Sequence, residues 1–296
     1  MEQRSSNLQI WLMAIRPRTL PAAAAGVITG SALAWQDGFF RADAFIVCLL
    51  VALLLQIGSN LANDVFDFER GTDTAERMGP TRVTQAGLLT ASQVKFGMAF
   101  VFGLAALLGL YLAWIGGWVI LIVGIAAILS AIAYTGGPFP LGYYGLGDLF
   151  VFLFFGIAAV AGTYYIQAGS VSTAAWWMTI PPGLIITAIL VVNNLRDLEN
   201  DRKAGKRTLA ARLGEQGTKL QYISCIVLAY LVLIQAAWLH IIPWSSLLAW
   251  FSLPIAFRAT RVVLTQKGRA LNAALAGTGQ TALLFSILFW LGLLFS

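Results

Sequence analysis

Residues 43–73 read DAFIVCLLVALLLQIGSNLANDVFDFERGTD. Between Asp43 and Asp64 there is no charged residue, and from Ala44 to Leu55 every side chain is apolar. A helix needs about 20 mostly apolar residues to cross a bilayer, and this run supplies them. The run does not end in an ordinary loop. Asn60, Asn63, Asp64 and Asp67 follow at i, i+3, i+4 and i+7, a spacing that sets four polar groups on one helical face. A polar stripe at the membrane end of an apolar helix belongs against the protein interior or a wet cavity, not against lipid.

Working outward, apolar runs of similar length recur to the C-terminus, at about 19–36, 43–63, 94–114, 116–134, 146–168, 175–194, 219–239, 242–260 and 271–294. Composition agrees. The 296 residues are 59% hydrophobic and 11% charged, with a mean hydropathy of +0.79; a soluble domain carries about 25% charged residues. The expectation is an all-α, polytopic membrane bundle of nine transmembrane helices in a single domain over 1–296. The N-terminal stretch is polar and amphipathic, without the apolar segment of a cleavable signal, so the first span is expected to serve as the insertion signal. Cys48 and Cys225 lie inside apolar runs and read as small packing residues, not as a disulfide or metal ligands.

The basic residues orient the bundle. Of the 19 Lys and Arg residues, only Arg41 falls in the loops after the odd-numbered helices. The positive-inside rule then sets the N-terminus and the charged loops in the cytoplasm. The net charge of +6 therefore reports membrane topology and does not call for a nucleic-acid partner. Among the acids, only Asp37 and Asp43 lie on the outer side. The rule does not govern acids, so their bias needs a cause of its own.

A second cluster ends the sixth run: Asn193-Asn194-Leu-Arg196-Asp197-Leu-Glu199-Asn200-Asp201-Arg-Lys203-Ala-Gly205-Lys206-Arg207. Asn193 or Asn194, Asp197 and Asp201 again stand three or four residues apart. An apolar helix, an Asn pair, an Asp and then further acids and bases thus occur twice on one membrane side, as a weak internal repeat over 60–73 and 193–207. Carboxylates this close raise one another's pKa unless a cation neutralises them. Mg²⁺ takes oxygen ligands and shares them with substrate phosphates. Two acidic faces with Lys and Arg beside them suit a diphosphate held through Mg²⁺.

These stretches resemble the two Asp-rich motifs of the UbiA superfamily of intramembrane prenyltransferases. RPRTLPAAAAGVITG, QIGSNLANDVFD, GPTRVTQAGLLT, AYTGGPFPLGYYGLGDLFVFLFFG and NNLRDLENDRKAGKRTLAARLG, in that order, look like the dihydroxynaphthoate branch of that superfamily. The resemblance covers nearly the whole chain. It implies a nine-helix bundle around a central cavity in a bacterial cytoplasmic (inner) membrane, with its site facing the cytoplasm. It also implies Mg²⁺, a polyprenyl diphosphate donor and 1,4-dihydroxy-2-naphthoate as acceptor. Asp64, Asp67, Asp197 and Asp201 match the catalytic and Mg²⁺-holding acids, with Asp73 as a further one. Asn60, Arg16, Lys206 and Arg207 match diphosphate-binding positions, and Asn63 and Asn194 within the motifs are further candidate diphosphate contacts. Tyr134, Tyr144 and Asp148 are candidate acceptor contacts. The 4-hydroxybenzoate branch carries a basic motif after its fourth helix. Here that stretch, 134–144, has no Lys or Arg, which argues against that acceptor.

Other features carry less. Gly26 and Gly30 form a helix-packing pattern. Gly136 to Gly147 lacks the Lys and spacing of a P-loop and is expected to cap the cavity. His240, the only histidine, sits at an outer helix end with no catalytic role, and the Trp residues read as an interfacial belt. A secondary transporter would set its ionisable groups near the midplane, whereas these crowd one surface.

Overall fold

A computed structural model describes residues 6–72 and 78–296. They form helices and turns, with no strand among the described residues. In chain order the helices are α1 (Asn7–Ile15), α2 (Leu20–Gln36), α3 (Ala42–Glu69), α4 (Ala91–Gly116) and α5 (Trp118–Ala133). They continue with α6 (Gly147–Ala168) and α7 (Thr173–Arg196), then α8 (Leu198–Lys203) and α9 (Leu209–Trp238), and end with α10 (Trp244–Thr265) and α11 (Gly268–Leu293).

Seven of these, α3, α4, α6, α7, α9, α10 and α11, are long and apolar enough to cross a membrane. The sequence led us to expect nine. The other two apolar runs make shorter helices, 17 residues in α2 and 16 in α5. At about 1.5 Å per residue the shorter rises about 24 Å, less than a hydrocarbon core of about 30 Å. Local chemistry sets their ends. Pro17 and Pro21 bracket the start of α2, where Arg16 turns the chain with a φ of 55°. Gly117, with a φ of 75°, separates α4 from α5, and the Gly- and Pro-rich stretch after Tyr134 stops α5.

The helices fall into two groups joined by α2 and α6. α3 lies along α4, and both touch α5; α7 lies along α9, and α11 packs on α2, α7 and α10. The largest apolar core, including Tyr222, Leu233, Phe285 and Phe289, lies between the members of the second group. Gly26 and Gly30 do what their spacing suggests. A Cβ on Gly30 would stand 2.4 Å from the Val160 carbonyl oxygen, and one on Gly26 would stand 2.6 Å from Ala159 Cβ. Only glycines let α2 lie this close to α6. The α6 stretch they meet, Phe152–Ala161, is π-helical, a geometry frequent where a helix is distorted near a functional site.

Two polar layers sit at opposite ends. At one end Asp37 accepts from Tyr164 at 2.5 Å, Asp43 binds Tyr111 and Arg41 at 2.7 Å each, and the amide oxygen of Gln167 caps Arg41 N–H at 3.0 Å. The other end holds both Asp-rich motifs.

Candidate active site

α3 runs past the apolar stretch to Glu69, so Asn60, Asn63, Asp64 and Asp67 do share one helical face. Asn60, Asp64 and Asp67 are buried and Asn63 is half-buried. The second motif differs from the single continuous face expected. α7 ends at Arg196, Asp197 is a cap with φ −94° and ψ 7°, and α8 carries Asp201. The backbone stays nearly helical, with Asp201 N–H donating to the Asp197 carbonyl at 2.8 Å. Gly205, with a φ of 71°, then turns Lys206 back over the motif.

Lys206 brings the motifs together. Its ammonium lies 3.5 Å from Asp201 and 3.8 Å from Asp67. One cation thus bridges one acid from each motif. Asp67 is also paired with Arg82 at 2.5 Å, both side chains being almost wholly buried. Asp197 takes Arg196 on both oxygens, at 2.9 and 2.5 Å. Arg196 in turn binds Asn193 at 2.8 Å and Asn272 at 2.7 Å. Asp64 is used differently: its two oxygens accept the N–H groups of Val83 and Thr84, at 3.1 and 3.0 Å. Burial is the main reason that the Asp201 carboxyl is pushed up to about 6, against Lys206, which pulls it down.

The other expected residues are spread around this centre. Asn60 donates to the Ile15 carbonyl and to Thr19, both at 2.9 Å, and so pins the corner between α1 and α2. Arg16 makes that corner, and its carbonyl accepts the Thr19 hydroxyl at 3.0 Å. Asn63 accepts from Thr135 at 3.0 Å. Asn194 is buried on α7. Tyr134 closes off α5, wedged so that a Cβ on Gly147 would stand 2.8 Å from its hydroxyl. Asp148, in the first turn of α6, accepts from Gln221 at 2.9 Å. Arg207 is exposed, and its N–H donates to the Tyr143 carbonyl at 2.7 Å. Asp73 lies outside the described residues.

Tyr143 and Arg82 are the site residues that the sequence reading passed over. Tyr144 is exposed and stacked on Phe139, with centroids 3.9 Å apart, while its neighbour Tyr143 turns inward. The Tyr143 hydroxyl donates to Asp67 and lies 3.0 Å from Thr72. The Lys206 ammonium stands 4.5 Å from its ring centroid and the Arg70 guanidinium 5.6 Å, both within cation–π range. Burial, then the Asp67 charge, raises the Tyr143 phenol above its ordinary value, so it remains a hydrogen-bond donor. Arg70 itself is held by the Thr135 carbonyl at 3.0 Å and by the Gly137 carbonyl. Arg70, Arg207, Tyr143, Tyr144, Pro138 and Pro140 line a cleft of about 340 Å³ that shares Tyr143 with this centre.

The sequence profile of the UbiA prenyltransferase family matches residues 23–283. The chain belongs to the UbiA prenyltransferase family. Among its relatives is a protein of Haemophilus influenzae named 1,4-dihydroxy-2-naphthoate octaprenyltransferase, 39% identical over 98% of this chain and 97% of the relative. The UbiA fold is also that of two solved structures. A UbiA homologue from Aeropyrum pernix superposes with a TM-score of 0.68 at 14% identity, over 94% of this chain and 96% of that one. A UbiA homologue from Archaeoglobus fulgidus, bound to DMAPP and Mg²⁺, gives a TM-score of 0.66 at 13% identity, over 96% and 98%. As a UbiA family member the chain is a prenyltransferase, and its charged motif end is the candidate active site.

Among the described residues no group of three or more His, Cys, Asp or Glu converges as a metal nest. Two carboxylates from separate motifs do converge on a shared cation, the Lys206 ammonium. That arrangement fits a cation held partly by protein and partly by a substrate's own oxygens, the mode Mg²⁺ favours.

Proposed function

We propose that this chain transfers a polyprenyl group from polyprenyl diphosphate to 1,4-dihydroxy-2-naphthoate, with loss of diphosphate and CO₂, giving demethylmenaquinol. The observation that carries the reading is the near-full-length 39% identity to a relative named for that acceptor. The convergence of both Asp motifs on Lys206 supports it. The chain lies in a bacterial cytoplasmic membrane. The two short helices α2 and α5 complete nine spans, and the motif end faces the cytoplasm.

Asp67 and Asp201, with Asp197 beside them and Asp73 as a further acid, hold Mg²⁺. The metal, when bound, supplies positive charge against the charge that develops on departing diphosphate. Lys206 and Arg82 leave their carboxylate partners for the diphosphate oxygens, with Arg16, Asn60, Asn63, Asn194 and Arg207 around them. The allylic C–O bond ionises inside an apolar bundle that keeps water from the carbocation. The acceptor comes in from the cytoplasmic end through the cleft beside Tyr143 and Tyr144, and Tyr134 and Asp148 border its ring. The ring attacks through its carboxyl-bearing carbon, and loss of CO₂ restores aromaticity. The tail buries many methylenes, each worth about 0.8 kcal/mol, so donor and product stay in lipid while the polar partners use the aqueous end.

The test is a side-by-side assay of membranes containing the protein, with Mg²⁺, a prenyl diphosphate, and dihydroxynaphthoate, 4-hydroxybenzoate or homogentisate. The expected result is a lipid-soluble naphthoquinol and CO₂ from dihydroxynaphthoate, with activity lost in EDTA and restored by Mg²⁺. Preference for another acceptor, or activity indifferent to EDTA, refutes the reading.

A further inference from the structure

The stretch MGPTRVTQAGLLT, residues 78–90, touches both motifs. In its middle, Val83 and Thr84 N–H donate to the two oxygens of Asp64, at 3.1 and 3.0 Å. Asp64 is 1% exposed. Bonds from N–H groups to a carboxylate are strong, and backbone donors buried here have no replacement if it is lost. The turn is closed on itself, with Ala86 N–H on the Arg82 carbonyl at 3.0 Å and Leu88 N–H on the Val83 carbonyl at 2.9 Å. The Val83 side chain is fully buried with Ile10, Leu61, Val65 and Val94. At the start of the stretch, the Met78 carbonyl accepts Asn272 Nδ2 at 3.1 Å, and the same Asn272 binds Arg196, the partner of Asp197. The segment is thus a strap, pinned to the first motif through Asp64 and to the second through Asn272.

Arg82 directly precedes the Asp64-bound peptide. With Val83 fixed, its guanidinium is set against Asp67 at 2.5 Å and bonds the Asn63 carbonyl. Asp64 was grouped with the ligand acids by its match to the first Asp-rich motif, yet both its oxygens are turned to the strap. We infer that Asp64 is a positioning residue: it fastens residues 78–84 onto α3, and the strap presents Arg82 to the donor diphosphate beside Asp67. This rests on the reading of Asp67 as a donor-site acid.

The experiment uses the full chain in native-lipid nanodiscs with Asp64→Asn, Arg82→Ala and Asp67→Asn. Asparagine keeps the shape of Asp64 but sets an N–H₂ against one backbone N–H. Two kinds of measurement are read: the rate of tryptic cleavage at Arg82, which is 6% exposed when the strap is seated, and the kinetic constants. For Asp64→Asn, cleavage at Arg82 accelerates on the order of tenfold, as expected for a buried donor left without its acceptor. KM for the prenyl diphosphate rises by a similar factor, while half-saturating Mg²⁺ and acceptor KM stay at wild-type values. Arg82→Ala raises donor KM in the same way, and Asp67→Asn shifts half-saturating Mg²⁺. If Asp64→Asn shifts half-saturating Mg²⁺ as Asp67→Asn does, with cleavage at the wild-type rate, Asp64 is a ligand and the inference is overturned. Should Asp64→Asn fail to fold, Thr84→Pro, which removes one N–H from Asp64 and leaves the carboxylate in place, decides: faster cleavage at Arg82 with a raised donor KM at wild-type Mg²⁺ dependence supports the inference, and wild-type cleavage and donor KM overturn it. If Asp67→Asn alters neither Mg²⁺ nor donor dependence, the donor-site reading fails; tryptic cleavage of Asp64→Asn then still decides whether Asp64 fastens the strap.

Discussion

Asp67→Asn removes one charge and almost no volume from the most crowded point of the site. In the folded chain Asp67 is 3% exposed and Arg82 is 6% exposed, and their ion pair spans 2.5 Å. Removing one member of a buried pair leaves the other charge without compensation, at a cost of about 3–5 kcal/mol. Two features place this site at the lower end. Arg82 retains the Asn63 carbonyl, and Lys206, whose side chain is 15% exposed, retains Asp201. The loss is therefore about 3 kcal/mol, a large share of the 5–15 kcal/mol that typically holds a folded domain. The assay is a tryptophan-fluorescence melt in detergent at neutral pH without Mg²⁺, with Arg82→Gln and the double variant completing a cycle. The single variants should each destabilise, and the double variant should be more stable than the sum of the two predicts, with a coupling of about 1–3 kcal/mol. An Asp67→Asn protein within about 0.5 kcal/mol of wild type, the range of ordinary surface substitutions, would refute a dry, paired Asp67. Activity of this variant has to be read per folded molecule.

Asp201 should behave in the opposite way. Its folded carboxyl is raised from 3.8 to about 6 by burial, so ionising it works against folding as pH rises through that window. Asp201→Asn is expected to raise the melting midpoint of the metal-free protein at pH 8, with a gain that shrinks as pH falls from 6 toward 4, while abolishing prenyl transfer; a lowered midpoint at pH 8 would contradict it. Gly30→Ala puts a Cβ 2.4 Å from the Val160 carbonyl oxygen and forces α2 off α6, lowering stability by about 1–3 kcal/mol in the same melt. Tyr143→Phe loses the hydroxyl on Asp67 but keeps the ring under Lys206, and should cost about 1 kcal/mol with a raised donor KM. Tyr143→Leu, which removes the ring as well, should cost about 0.5–1 kcal/mol more.

Sequence alone determined that this chain is an all-helical membrane bundle with its two Asp-rich motifs at one end. Long apolar runs and their interrupting charges are properties of contiguous residues, so the bilayer's length requirement can be read directly from them. The face of Asn60, Asn63, Asp64 and Asp67 was equally legible, because helical periodicity converts spacing into direction. So was the close approach at Gly26 and Gly30. The extents of α2 and α5 were legible to within two residues, 19–36 and 116–134 against Leu20–Gln36 and Trp118–Ala133; what the chain did not reveal is the sharp backbone turn at Arg16 and at Gly117 that sets their ends. Nor did it reveal the break at Asp197, which leaves the spacing of the second motif unchanged. Above all, spacing cannot say what a carboxylate touches. Asp64 and Asp67 look interchangeable in sequence, yet one is tied to the backbone of a strap and the other to Arg82, Lys206 and Tyr143. Those partners come from other loops and another helix, and only the folded chain brings them within hydrogen-bond reach of α3.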